Sequence, residues 1–292
     1  MAAVSSYTGR FAPSPTGELH FGSLVAALAS YLDARAAEGR WLVRMEDIDP
    51  PREQRGAASA ILKALECYGL HWDGPVLHQS SRLHAYRAVL EELCRRSCAY
   101  RCDCTRKKLA STHPLYPGFC RQRTVPADTP AAVRLKCTQS NVTWVDRIQG
   151  HQSWKLGSTG DFIILRKDGL FAYQLAVVVD DAWQGVTHVV RGRDLLDSTA
   201  RQVTLQRTLG YHTPTYAHIP LVVGDTGQKL SKQYGAAPIP LKKPEPILLK
   251  ALAALGLPLC SSLHGCRIDA LLDWAVHNWR INRVPTGSTM PH

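Results

Sequence analysis

The order of candidate elements along the 292 residues predicts an α/β fold built on a parallel sheet. Three observations carry that expectation: a strand–helix–strand–helix opening, a later stretch with the same rhythm, and a proline- and glycine-rich turn joining the first strand to the first helix. Residues 7–12 read as a short strand, stopped by Pro13-Ser14-Pro15-Thr16-Gly17. Residues 22–37 carry Ala and Leu at helical spacing, and Gly39 stands where a C-terminal cap belongs. Residues 41–45 read as a second strand, followed by Glu46-Asp47-Ile48-Asp49-Pro50-Pro51 and a helix over about 54–68.

The rhythm breaks between residues 72 and 160 and then resumes. Residues 162–165 and 186–190 are strand-like, 171–179 form an apolar run, and 195–209 read as a helix. Residues 216–223 predict another strand, ending in a polar loop over 224–234. A proline-rich linker, 238–246, leads to helices over 247–255 and 268–279. The expected organisation is therefore a first half-sheet over 1–72, an insertion over 73–160, a second half-sheet over 161–240 and a short helical region over 241–292.

Hydrophobic residues at 45 % and charged residues at 20 % fit a globular chain rather than a disordered one. The net charge is +11, and +8 of it falls between Arg82 and Lys136, which points to a docking surface for phosphates. The opening residues lack a signal-peptide pattern and no apolar run is long enough to span a membrane, so a cytoplasmic protein is expected. In that reducing compartment the nine cysteines are read as metal ligands where clustered and as core or incidental where isolated. Cys67, Cys94, Cys137, Cys260 and Cys266 belong to the second group. Asp180-Asp181, reached by an apolar run, is expected at a helix end or in a loop.

Two motifs carry chemistry. In the turn Pro13–Ser23, a helix N-terminus offers free N–H groups to a phosphate, His20 can donate to it, and Gly22 lets a flat base approach the backbone. In the late loop, Lys229 and Lys232 flank Ser231 and can close over a triphosphate as charge builds on it. Each motif alone is weak, but the pair in this order is specific.

Written as His20-Phe-Gly-Ser23 and Lys229-Leu-Ser-Lys-Gln233, these motifs resemble the two signatures of class I aminoacyl-tRNA synthetases. Gly9-Arg-Phe-Ala-Pro-Ser-Pro-Thr-Gly17, Arg44-Met-Glu-Asp-Ile-Asp-Pro-Pro-Arg52 and Val190-Arg-Gly-Arg-Asp194 resemble the glutamyl-tRNA synthetase branch. Asp-Ile-Asp-Pro-Pro-Arg, Lys-Leu-Ser-Lys-Gln, Asn278-Trp-Arg280 and the chain length are similar to its short paralogues. The resemblance implies a Rossmann-like class I catalytic domain with an inserted zinc-bearing acceptor-type subdomain and no anticodon-binding domain. It implies activation of L-glutamate with ATP and Mg²⁺, and transfer of glutamate to the queuosine base in the anticodon of tRNA(Asp).

Site residues follow from chemistry and resemblance together. A dicarboxylic amino acid needs cations for its carboxylates and an anion for its ammonium, which suits Arg10, Arg191 and Glu46. The family pattern puts glutamate contacts on Arg10, Phe11, Ala12, Pro13, Ser14, Glu46, Tyr173 and Arg191. ATP contacts fall on His20, Gly22, Ser23, Lys229, Ser231 and Lys232, with His20, Lys229 and Lys232 stabilising the charge that develops.

Cys102-Asp-Cys104 and Cys120, with Cys98 and His113 nearby, suggest tetrahedral Zn²⁺. The family's set, two cysteines as Cys-x-Cys, a tyrosine and a cysteine four residues later, falls on Cys102, Cys104, Tyr116 and Cys120. His113 competes with Tyr116 for the fourth position. Four protein ligands leave no open position, so one structural zinc is expected. The rival readings are a truncated glutamyl-tRNA synthetase charging a 3′ end, a non-catalytic tRNA-binding paralogue and a small-molecule nucleotidyltransferase. A monomer is expected.

Overall fold

The computed structural model describes residues 7–110, 116–138, 141–155, 160–223, 237–287 and 289–291. Strand β1 (Thr8–Phe11) is buried along its length and ends at the Pro13–Gly17 turn, whose prolines cannot donate to a ladder. Helix α1 (Phe21–Ala36) leads to β2 (Arg40–Met45), which returns parallel to β1 with Thr8 opposite Arg40 and Phe11 opposite Val43. The expected glycine cap is not what closes α1. Glu38, at φ 51°, takes the left-handed position. Gly39 serves clearance instead, because a Cβ there would stand 2.5 Å from the Tyr7 carbonyl oxygen.

After α2 (Ala57–Cys67), the short β3 (Leu77–His78) pairs in parallel with β2. Next come α3 (Leu83–Arg95), β4 (Ala99–Cys102), α4 (Arg106–Leu109), β5 (Ala132–Leu135), the hairpin β6 (Val142–Asp146) and β7 (Gly150–Trp154), and β8 (Ile163–Leu165). Strands β4, β5 and β8 form an antiparallel sheet whose core also takes in residues of α3 and α5 (Tyr173–Trp183). Then β9 (His188–Gly192), α6 (Leu196–Leu209), β10 (Thr215–Ile219) and β11 (Leu221–Val223) complete the second half, with β9 and β10 parallel and β6 parallel to β10.

The residues expected as an insertion over 73–160 do not stay together. β3 joins the first half-sheet, β6 and β7 join β10, and β5 pairs with β8 beyond residue 160, so both boundaries cut across hydrogen-bonded strands. Periodicity along one segment carries no information on which distant strand completes its ladder.

The halves meet at β1 and β9. Thr187 N donates to the Thr8 carbonyl at 2.9 Å, and Thr8 N donates to Thr187 Oγ1 at 2.9 Å. From this seam α1 carries the chain outward to β2, while α6 carries it the other way to β10. Such a reversal opens a crevice outside the carboxyl ends of the two central strands.

The C-terminal residues α7 (Glu245–Ala254), α8 (Ile268–Asn278) and β12 (Thr289–Pro291) share the main core with α1 and α2. Asp33 on α1 ties them down. It accepts Trp279 Nε1 at 3.0 Å, both terminal nitrogens of Arg147 and the Tyr7 hydroxyl. The region expected to be purely helical also contains β12, which pairs in parallel with β11. Among the described residues, no helix is long and apolar enough to cross a membrane.

Candidate active site

A cavity of about 680 Å³ opens at the reversal point. Its floor is the end of β1 and the following turn, with Arg10, Phe11, Ala12, Pro13 and Ser14. The first turn of α1 adds His20, Gly22 and Ser23; Tyr173 comes from α5 and Arg191 from the end of β9. Ten residues read from separate stretches of the sequence thus line one space. Lys229, Ser231 and Lys232 lie outside the described residues. Both flanks of their segment meet the cavity region: Leu221 and Val222 line it, and Pro238 forms a β-bridge with His20.

Extended backbone at His20, φ −105° and ψ 168°, makes it the cap of α1. Its Nδ1 accepts the Ser23 N–H at 3.3 Å, which assigns the neutral ring's proton to Nε2, 2.8 Å from Ser23 Oγ. Ring and hydroxyl therefore form a short polar chain at a helix N-terminus, where a phosphate is favoured by dipole and free N–H groups alike.

The two arginines are held differently. Arg10, 3 % exposed, has one hydrogen bond among the described residues, from Nε to Asp181 Oδ1 at 3.3 Å, leaving both terminal nitrogens for the cavity. Arg191, 5 % exposed, is fixed on three sides. Its Nε donates to His218 Nε2 at 3.0 Å, Nη2 to Thr199 Oγ1 at 2.8 Å and the Leu195 carbonyl at 3.3 Å, and Nη1 to the Tyr173 hydroxyl at 3.4 Å.

Because Arg191 only donates, His218 Nε2 must accept, so Nδ1 carries the proton toward Asp146 Oδ2 at 2.5 Å. Burial and the Arg191 charge push the His218 pKa down to about 4, with Asp146 resisting. Asp146 is itself anchored by the backbone N–H groups of Ile148, Gln149 and His218. The sequence reading missed this Asp146–His218–Arg191 chain. A histidine in a strand looks like any core histidine, and Asp146 is 72 residues away.

Glu46 faces a smaller adjoining cavity of about 220 Å³ that also contains Ser14 and Tyr173. Burial raises its pKa against the pull of Arg44 and Arg10. Asp180 and Asp181, expected at a helix end or in a loop, lie in the last turn of α5 and are wholly buried or nearly so. Asp181 receives Arg44 Nη1 at 2.7 Å as well as Arg10; the two arginines hold its carboxyl below the usual range although burial opposes them. Asp180 takes Arg82, Gln79 and Tyr86. Asp181 thus positions Arg10 from behind.

Away from the cavity, Cys102, Cys104 and Cys120 bring their sulfurs within 4.8 Å of one another. Tyr116 Oη stands 3.3 Å from Cys102 Sγ and 3.9 Å from Cys104 Sγ. Arg134 Nε donates to Cys102 Sγ at 3.3 Å. Burial would raise the Cys102 thiol pKa, but hydrogen bonds from Tyr116 and Arg134 bring it below the ordinary value. Three soft donors and an oxygen in one cluster, beside a cation, suit a thiolate-bound metal. His113 lies outside the described residues.

Residues 7–115 and 119–241 match the family of tRNA synthetases class I (E and Q), catalytic domain, so the fold and cavity are those of a class I synthetase. The glutamate tRNA ligase of Elizabethkingia meningosepticum superposes with a TM-score of 0.82 at 25 % identity, covering 98 % of this chain and 67 % of that one. Glutamyl-Q tRNA(Asp) synthetases are similar along nearly the whole length. That of Pseudomonas aeruginosa is 54 % identical over 289 residues, 99 % of this chain and 98 % of its own. That of Ectopseudomonas mendocina is 53 % identical over 287 residues, 98 % and 97 %. The chain belongs to the glutamyl-Q tRNA(Asp) synthetase family of class I.

Proposed function

We propose that the chain activates L-glutamate with ATP as glutamyl-adenylate and transfers glutamate to the queuosine base in the anticodon of tRNA(Asp). The observation that carries this reading is the convergence of buried Arg10 and Arg191 on the cavity that His20 caps. Two guanidiniums match the two carboxylates of the substrate, and Glu46 beside them matches its ammonium.

An α-carboxylate oxygen of glutamate attacks the α-phosphorus of ATP, and pyrophosphate leaves with the bonding electrons. Arg10 and Arg191 align the amino acid, and Arg191 is pre-set by His218, Thr199 and Tyr173, so little ordering remains at the moment of attack. His20 and Ser23 donate to phosphate oxygens at the helix end, and Lys229 and Lys232 close over the triphosphate. Mg²⁺ bound with ATP would supply further charge neutralisation at the phosphates that His20 and Ser23 hold.

Cys102, Cys104, Tyr116 and Cys120 hold one structural zinc that pins the surrounding basic segment. Arg87, Arg95, Arg96, Lys107, Lys108, Arg121 and Arg123 remain exposed there for RNA phosphates.

ATP–pyrophosphate exchange without tRNA tests the activation step, with glutamate, aspartate and glutamine compared. Exchange with glutamate alone is expected, and absence of glutamate-dependent exchange overturns the reading. Nuclease mapping of glutamylated tRNA(Asp) then locates the ester; a 3′-terminal product would make the chain a truncated glutamyl-tRNA synthetase.

A further inference from the structure

We propose that the smaller cavity beside Glu46 seats the group that accepts glutamate, a small ring bearing hydroxyl and amine donors, held through Gln79 and Glu53. This rests on the activation reading above and names the substrate group the second cavity takes.

The cavity shares Ser14, Thr16, Arg52 and Tyr173 with the larger one, so a guest there lies beside the glutamate seat. Its volume, about 220 Å³, is below the ~300–1,000 Å³ of sites that take whole drug-sized molecules, so it fits a substituent rather than a nucleoside.

Its polar lining asks for donors. Gln79 is wholly buried, and its Nε2 is spent on Asp180 Oδ2 at 2.9 Å. Its Oε1 has no hydrogen-bond partner among the described residues, and neither has the buried Glu53 Oε1. Acceptors left this way cost free energy until a donor arrives. With Glu46 taken by the ammonium of glutamate and Asp49 by arginines, Glu53 supplies the charge that favours an amine over a phosphate, while Ile48 and Phe171 offer apolar contact to ring carbons. Arg52 and Arg166 both reach Asp49, at 2.5 and 3.5 Å, and Arg52 is largely exposed. The diol-and-amine side group of queuosine has this chemistry.

With the ring seated, one of its hydroxyl oxygens attacks the carbonyl carbon of glutamyl-adenylate. A carbon–oxygen ester bond forms, the bond from that carbon to the AMP phosphate oxygen breaks with its electrons going to AMP, and the hydroxyl proton passes to the released phosphate.

Full-length Glu53→Met and Gln79→Met proteins, which both lose the side-chain acceptor, are compared with wild type in two assays: glutamate-dependent ATP–pyrophosphate exchange, and glutamate transfer to tRNA(Asp) carrying queuosine. Loss of a hydrogen bond to the acceptor should raise the KM for tRNA roughly tenfold in each variant, with exchange unchanged. Glu53 is partly exposed, so its variant folds even where Gln79→Met does not. Wild-type transfer by Glu53→Met overturns the proposal. So does a matching loss of exchange in that variant, because the cavity would then serve activation. Absence of exchange in the wild type would instead refute the activation reading itself.

Discussion

Acidification should weaken the fold through His218, and the amount follows from its surroundings. Its pKa falls from an ordinary 6.5 to about 4 because the ring is wholly buried and faces the Arg191 cation. The unfolded chain therefore binds this proton at a higher pH than the folded one does. Stability is complete above pH 6.5 and drains away as pH falls toward 4. At 1.36 kcal/mol per unit, the whole difference is about 3 kcal/mol. Urea unfolding at several values between about pH 7 and pH 4.5 measures it in wild type and in His218→Gln, whose amide keeps an acceptor for Arg191 but does not titrate. The wild-type curve should lose about 2 kcal/mol more than the variant over that window, most of the whole difference. Parallel curves would refute the argument, since other titrating groups are common to both. A second readout concerns the site. His218→Leu strips Arg191 of its Nε partner and should raise the glutamate KM about tenfold or more while leaving the ATP KM near wild type.

Asp33→Ala removes the acceptor shared by Tyr7, Arg147 and Trp279 and should cost about 3 kcal/mol, discounted for the partly exposed Arg147; thermal unfolding reports it. Lys232→Ala should slow adenylation roughly a hundredfold in pyrophosphate exchange with little change in melting temperature. Wild-type protein should carry one zinc per chain by elemental analysis and Cys104→Ser less, and chelation should lower the melting temperature.

The β1–turn–α1 segment was readable because its chemistry is local: strand, proline-rich turn, His20 and helix follow one another within 17 residues, from Thr8 to Leu24. Arg10, Arg191 and Glu46 were singled out by the family resemblance together with what a dicarboxylic amino acid needs. What supports them was not readable. Asp181 counters Arg10 from 171 positions away, and an aspartate pair inside an otherwise apolar helix gives no sign of which cation it meets. The short strands β4 to β7 draw their order from cross-chain pairing rather than from their own alternation. Gly39 shows the reverse error: a glycine placed where a cap belongs turned out to be required by a neighbouring backbone oxygen.

The parallel pairing of β12 with β11 reaches further than its three residues suggest. Leu221 faces Thr289 and Val223 faces Pro291, so a stretch late in the sequence anchors the strand from which the segment bearing Lys229 and Lys232 departs. Leu221 and Val222 also line the large cavity, so a change near position 290 bears on a wall of that cavity through the strand it pairs with. For anyone engineering this chain, a fusion partner joined at that tail loads the cavity wall.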